Sequence, residues 1–217
     1  ILLLRHKSSA ALFIVGAFHL ESADPSDSKK VSLRQSQMKA FLSEVSLLAT
    51  GLAAIGRPCL LLFGGDFNAL REEFVFGTGD AYFASAGVRA VQPPPTRPKQ
   101  PVSPPDPAIA RLAEDGTLRL VAPGVDGAEL REVSRAANGS DGEVLCTRAG
   151  KSMVIDFVFA GSVGFTEELR TTPLRLVSPD QAAQAADPAY GVHRSVMEFG
   201  SDHLPVACDV SIPSEAR

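Results

Sequence analysis

Cysteine is scarce. Three residues, Cys59, Cys146 and Cys208, are scattered over 217 positions. That is too few and too dispersed for a disulfide framework, and the odd count points to an intracellular setting, cytoplasmic or nuclear. Two of the three sit in apolar runs and read as core residues. There is no surplus of positive charge either. Lys and Arg number 21 against 25 Asp and Glu, a formal net charge of −4. This excludes a global basic field, though a local cleft or a bound metal can still supply positive charge to an anionic substrate. No clean apolar run of about 20 residues is present, the length that a membrane-spanning helix needs. The longest apolar stretch, 47–65, is interrupted by Arg57-Pro58. The expectation is therefore no membrane association. No signal peptide and no internal repeat is visible.

What is present is ordinary for a globular protein: 45% hydrophobic and 21% charged residues. The length suits one large domain or two small ones. The chain opens on "ILLLRHK", which reads as a strand already in progress, so a fragment of a longer protein is expected. Leu12 to Leu20, "LFIVGAFHL", reads as a buried strand ending in His19 and Glu21. After the polar loop "ESADPSDSKK", an amphipathic helix is predicted from Leu33 to Ala49. Met38, Phe41, Leu42, Val45 and Leu48 line one face, with Arg34, Lys39 and Glu44 elsewhere. Gly51 and Gly56-Arg57-Pro58 break the pattern. A strand follows at Cys59 to Phe63.

Ala81 to Gly87 reads as a short helix and Val88 to Val91 as a short strand. In Pro93 to Pro107, eight of fifteen residues are proline, which excludes helix and central strand alike. Residues 93–142 are read as a flexible proline- and glycine-rich insertion, with 93–107 a spacer or a dock for a protein partner. A sequon at Asn138-Gly139-Ser140 carries no weight without signs of secretion. Val154 to Ala160, "VIDFVFA", is β-rich and contains Asp156. Beyond it "RTTPLRLVSPDQAAQAADPAY" shows no clear pattern. Ser201-Asp202-His203 then precedes a predicted strand from Leu204 to Ile212.

Several polar groups sit where strands should be apolar. The clearest case is "LLFGGDFNAL", where a buried run ends in Asp66 and Asn68. An unpaired buried carboxylate costs roughly several kcal/mol. Each misfit has a simple explanation. Asp66-Phe67-Asn68 could be a turn, His19 an edge or core histidine, Asp156 a solvent-facing strand residue, and Ser201-Asp202 a loop. Together, three aspartates, an asparagine and two histidines at strand ends match the needs of metal-assisted phosphoester hydrolysis. Magnesium favours oxygen ligands. The phosphate's developing charge needs cations and donors. The water needs a carboxylate and an amide to orient it. An aspartate holds a histidine in one tautomer. Zinc would demand tighter Cys/His spacing.

"FHLES", "GGDFNAL", "VIDFVFA" and "GSDHLPV", in this order, resemble the endonuclease/exonuclease/phosphatase superfamily. It includes pancreatic deoxyribonuclease, abasic-site endonucleases, deadenylases, neutral sphingomyelinases and inositol polyphosphate 5-phosphatases. The resemblance covers the chain apart from the proline-rich insertion. It implies an α/β fold, the C-terminal part of a four-layer sandwich of two packed mixed sheets flanked by helices. It implies a Mg2+ cofactor, with Mn2+ as an alternative. By this resemblance Asp66 and Asn68 position and activate the water, His203 contacts the phosphate and Asp156 orients it. His19 is a second phosphate contact. Asp202, with Asp66, lies at the metal. His19, Asn68 and His203 would bind substrate. "RQSQMK", Arg34 to Lys39, matches a family helix and implies packing.

The family's metal-binding glutamate and an asparagine precede the His-Leu strand, and nothing upstream of His19 matches them. Glu21 lies on the wrong side to replace it. The resemblance therefore implies a single N-terminally truncated domain over 1–217 that binds metal poorly and is inactive alone, the enzyme being the full-length protein. "GDAYFASAGVRAV", and Thr147 upstream of the Ile-Asp strand, resemble the deadenylase-like branch: poly(A)-shortening exonucleases, nocturnin, Angel proteins and 2′-phosphodiesterases. Phe157 replaces that branch's tyrosine. "FHLES" and "RQSQMK" instead resemble the tyrosyl-DNA phosphodiesterases, which carry Asp-Thr-Asn in place of Asp66-Phe67-Asn68. The favoured reading is a deadenylase-like 3′-exoribonuclease with RNA as substrate. A tyrosyl-DNA phosphodiesterase, a sphingomyelinase or an inositol-phosphate phosphatase are the alternatives within the superfamily. A noncatalytic scaffold is the alternative outside it.

Overall fold

In the computed structural model, residues 1–9, 11–22, 27–69, 110–112, 118–121, 129–133, 147–150, 154–165, 167 and 169–213 are described. They form an α/β arrangement of nine strands and three helices. The strands are β1 (Leu2–Arg5), β2 (Leu12–His19), β3 (Cys59–Asp66), β4 (Ala110–Leu112), β5 (Leu118–Val121), β6 (Glu129–Glu132), β7 (Asp156–Val163), β8 (Arg170–Leu174) and β9 (Ala207–Ser211). The helices are α1 (Ser28–Ala54), α2 (Pro179–Ala185) and α3 (Gly191–Phe199).

Helix α1 begins where Asp27 caps it, accepting from the backbone N–H of Lys29 and Lys30. It ends at Ile55 and Gly56, where a positive φ of 66° suits glycine and stops the helix. It is longer at both ends than the apolar spacing predicts. Its buried stripe is Val31, Arg34, Met38, Leu42, Val45 and Ala49. Two expectations change. Leu48 is 37% exposed, off the buried stripe. Arg34, expected among the polar positions, is fully buried, because its Nη1 donates to the Glu21 carbonyl at 3.1 Å. A guanidinium enters a core when it finds acceptors there.

The main sheet has seven strands in the order β1-β2-β3-β7-β6-β5-β4. Only β2 and β3 are parallel, and α1 is the crossover between them. The remaining neighbours are antiparallel. On one face Phe63 pairs with Phe159 and Cys59 with Val163, and these pack with Ile14, Met38, Leu42 and Val45 of β2 and α1. Leu60 and Ala160, with side chains of the other parity, are buried too. A central strand covered on both faces explains why Cys59 to Phe63 is uninterruptedly apolar.

Part of the 93–142 segment belongs to the sheet. Strands β4, β5 and β6 lie within it, and Leu130, Glu132 and Val133 are buried. Within the segment read as a flexible insertion, 110–112, 118–121 and 129–132 are strands. Residues 93–107, the short elements expected at 81–91, Cys146 and the sequon lie outside the described residues. Strands β8 and β9 form a separate two-stranded sheet. Between them α2 starts at a capping box, Ser178 with Gln181, and Pro179 follows the cap. That Ser-x-x-Gln signature lies within the stretch that showed no clear pattern. The predicted strand from Leu204 is shorter, beginning at Ala207. Among the described residues no helix is long and apolar enough to cross a membrane.

Cys59 is fully buried, and burial pushes its thiol up to about 11. It is therefore expected to stay unmodified by an aromatic disulfide reagent at pH 8 in the folded protein and to react once denaturant is added. Peptide mapping by mass would read this out. Modification in native conditions would contradict the packing of β3.

Candidate functional site

Strand register assembles the site. In the parallel β2/β3 pair His19 stands opposite Asp66, and in the antiparallel β3/β7 pair Asp66 stands opposite Asp156. Three polar residues thus share one rung, where β2 and β3 end and β7 begins. The turn after β3 is anchored by Phe67, fully buried between Asp66 and Asn68. Its ring packs edge-on against Phe18 at 4.5 Å and Phe157 at 4.9 Å. The Phe67 N–H continues the ladder to the Ile155 carbonyl. Driving Phe67 inward leaves its polar neighbours at the strand end.

Asp66, 14% exposed, is the hub. Its Oδ2 is 3.5 Å from His19 Nε2 and 3.8 Å from His203 Nε2. Its Oδ1 accepts from the backbone N–H of Asn68 at 2.7 Å. Asn68 takes a positive φ of 50°, which asparagine tolerates better than most residues. Its Nδ2 donates to the Leu20 carbonyl at 3.0 Å, tying the end of β2 to the end of β3. The next residue, Glu21, is clamped through its backbone: Arg34 holds its carbonyl and Gln37 Oε1 accepts its N–H. The "RQSQMK" helix therefore fixes the segment that follows His19. His19 itself is 73% exposed.

His203 Nδ1 lies 2.9 Å from Asp156 Oδ2. This contact holds the ring in one orientation and sets the proton on the nitrogen facing the carboxylate. Burial pushes the Asp156 carboxyl up from the ordinary aspartate value. Hydrogen bonds from His203 and Thr147 oppose the rise, and the nearby Asp66 charge adds to it. Such a group binds its proton more tightly folded than unfolded. Its stabilising effect is complete below the unfolded pKa, about 3.9 for aspartate, and is lost as pH rises through the folded value. Asp156→Asn is accordingly expected to melt at or above the wild-type temperature at pH 7, with the difference closing as pH falls below 4. Circular dichroism melts at a series of pH values test this, and a lower melting temperature at pH 7 contradicts it.

Asp66, Asp156 and His203 each offer a ligand atom within 4.8 Å of the others. Two carboxylates and an imidazole at this spacing could hold a metal ion. Asp156 and His203 already use an atom each on one another, which leaves Asp66 as the carboxylate best able to hold an ion. Asp202, expected beside the metal, is not brought into this group. It is 46% exposed and lies 3.7 Å from Arg148 Nη2. Asp202 faces Arg148, while His203 faces Asp156 and Asp66.

The structure adds Thr147 to this group, a residue to which the sequence reading gave no role. It is fully buried, and its Oγ1 accepts from the N–H of Ile155 and Asp156 at 2.9 and 3.0 Å. Nothing in a single sequence signals a contact between a threonine in a turn and a strand nine residues on. At Gly65 the close backbone of β2 leaves no room for a side chain. A Cβ there would lie 1.9 Å from the Phe18 carbonyl oxygen. No family model matches the chain, and no curated protein matches it significantly.

Proposed function

We propose that this protein is a metal-dependent phosphodiester hydrolase of the endonuclease/exonuclease/phosphatase type, acting on nucleic acid as a deadenylase-like 3′-exoribonuclease. The proposal includes the four-layer sandwich of that superfamily for the complete domain. The single observation that carries it is the convergence of His19, Asp66, Asp156 and His203, from separated parts of the chain, on one end of three adjacent strands.

In this reading Asp66 takes a proton from the attacking water. The water oxygen bonds to phosphorus in line with the leaving oxygen, whose bond breaks with its electron pair and which is then protonated from solvent. His203, oriented by Asp156 and carrying a proton on each ring nitrogen, donates through Nε2 to a phosphate oxygen, and His19 contacts the phosphate from the open side. Asn68 orients the water through its amide oxygen, since its nitrogen is committed to Leu20. Mg2+, or Mn2+, held by Asp66, would supply positive charge to the phosphate. A protein partner at 93–107 belongs to the same proposal.

The test is hydrolysis by the full-length protein, with Mg2+, of poly(A), 5′-tyrosyl DNA, sphingomyelin and inositol phosphates. Poly(A) shortened from its 3′ end is the expected result. Preference for another substrate moves the protein to another branch, and no hydrolysis of any of them overturns the proposal.

A further inference from the structure

Thr147 bonds both the segment that carries Asp156 and the segment that carries His203. Its hydroxyl oxygen accepts two backbone N–H groups, those of Ile155 and Asp156 itself. These two bonds occupy both lone pairs of that oxygen. One proton and two lone pairs are all that a threonine hydroxyl offers. Its backbone carbonyl accepts from Leu204 N–H at 2.8 Å, the residue after His203. Arg148, the next residue, forms an antiparallel bridge with His203, and Ala149 N–H bonds the Asp202 carbonyl. One side of Thr147 therefore holds the backbone of Asp156 and the other sets the backbone carrying the imidazole.

We infer that Thr147 is a positioning residue that aligns Asp156 with His203 across two otherwise separate segments, so that the imidazole presents Nε2 to the phosphate. The catalytic part rests on the hydrolase reading; the alignment itself does not. Within this arrangement β7 brings Asp156 and the 201–204 segment brings His203. Their relative placement is not determined by the sheet ladder, because β9 belongs to the other sheet. Thr147, bonded through its buried hydroxyl to the first segment and through its backbone carbonyl to the second, is what fixes it.

Thr147→Val preserves shape and deletes both hydroxyl bonds, whereas Thr147→Ser restores them. Long-range 1H–15N correlation spectra of the His203 ring, at alkaline pH where the imidazole is neutral, read its tautomer and need no activity. Wild type and Thr147→Ser should show the proton on Nδ1. Thr147→Val should show mixed tautomers, moving toward the pattern of Asp156→Asn. Where Thr147→Val fails to fold, Thr147→Ala repeats the measurement. In the full-length enzyme, Thr147→Val should lower kcat about 10- to 100-fold with KM little changed, and Thr147→Ser should recover most of it. Wild-type ring shifts in Thr147→Val, or in Thr147→Ala where it is the one that folds, overturn the inference. Mixed tautomers with unchanged kcat uphold the alignment and count against the hydrolase reading of the pair.

Discussion

Asp66→Ala is expected to lower the hydrolytic rate of the full-length protein by about 10³-fold or more, the loss typical of removing a general base together with a metal ligand. The size follows from the position of the carboxylate. It faces His19 and His203 at once and forms part of the only three-ligand group among the described residues. The fold should survive. The bond that Asp66 gives the backbone is the one to Asn68 N–H, whose loss costs about 1 kcal/mol. Removing the charge also relieves Asp156, which Asp66 pushes up. Asp66→Asn separates the two roles, since an amide oxygen can keep the Asn68 bond but cannot take the water's proton. It should melt like wild type and be nearly as inactive as the alanine variant. Mn2+ binding, read from paramagnetic broadening of nearby NMR signals, should weaken in both. Full activity in Asp66→Ala would sink the assignment of the site.

Gly65→Ala is expected to be strongly destabilising. In the parallel β2/β3 pair Gly65 stands opposite Phe18, and a Cβ would lie 1.9 Å from the Phe18 carbonyl oxygen. No rotamer relieves a clash between a Cβ and a backbone atom, so the strands must part. That parting also pulls on the rung carrying His19 and Asp66, one residue on. A loss of more than about 3 kcal/mol is expected, with loss of activity. Gly64 is the internal control. A Cβ there would meet the Phe157 carbonyl at 3.5 Å and Val158 at 3.6 Å, ordinary contact distances. Gly64→Ala should cost about 1 kcal/mol or less. Denaturant unfolding of the two variants tests the contrast, and equal stability would refute the close approach of β2 to β3.

Local chemistry was readable before any coordinates. The runs at 12–20 and 59–63 are strands because their residues are apolar and partly β-branched. The helix between them is readable from its stripe of Met38, Leu42 and Val45. Asp66, Asp156, His19 and His203 were recognisable as misfits, since a carboxylate or imidazole at the end of a greasy strand needs a partner. Burial of Arg34, exposure of Leu48, the cap at Ser178 and the strands within 110–132 were harder. The first two depend on what α1 packs against, and the last on short segments whose pairing comes from the neighbouring strand.

The sequence by itself determined which polar groups interrupt or flank its apolar runs. It did so because hydrophobic periodicity and buried charge are local properties of the chain. The tertiary structure alone decided which groups meet. Register put His19, Asp66 and Asp156 on one rung, Arg148 drew Asp202 away from the group, and Thr147 bound the segment of Asp156 to that of His203. Those are contacts between residues far apart in the chain, chosen by strand pairing and by the satisfaction of buried hydrogen bonds. Neither leaves a mark on the spacing of a single sequence.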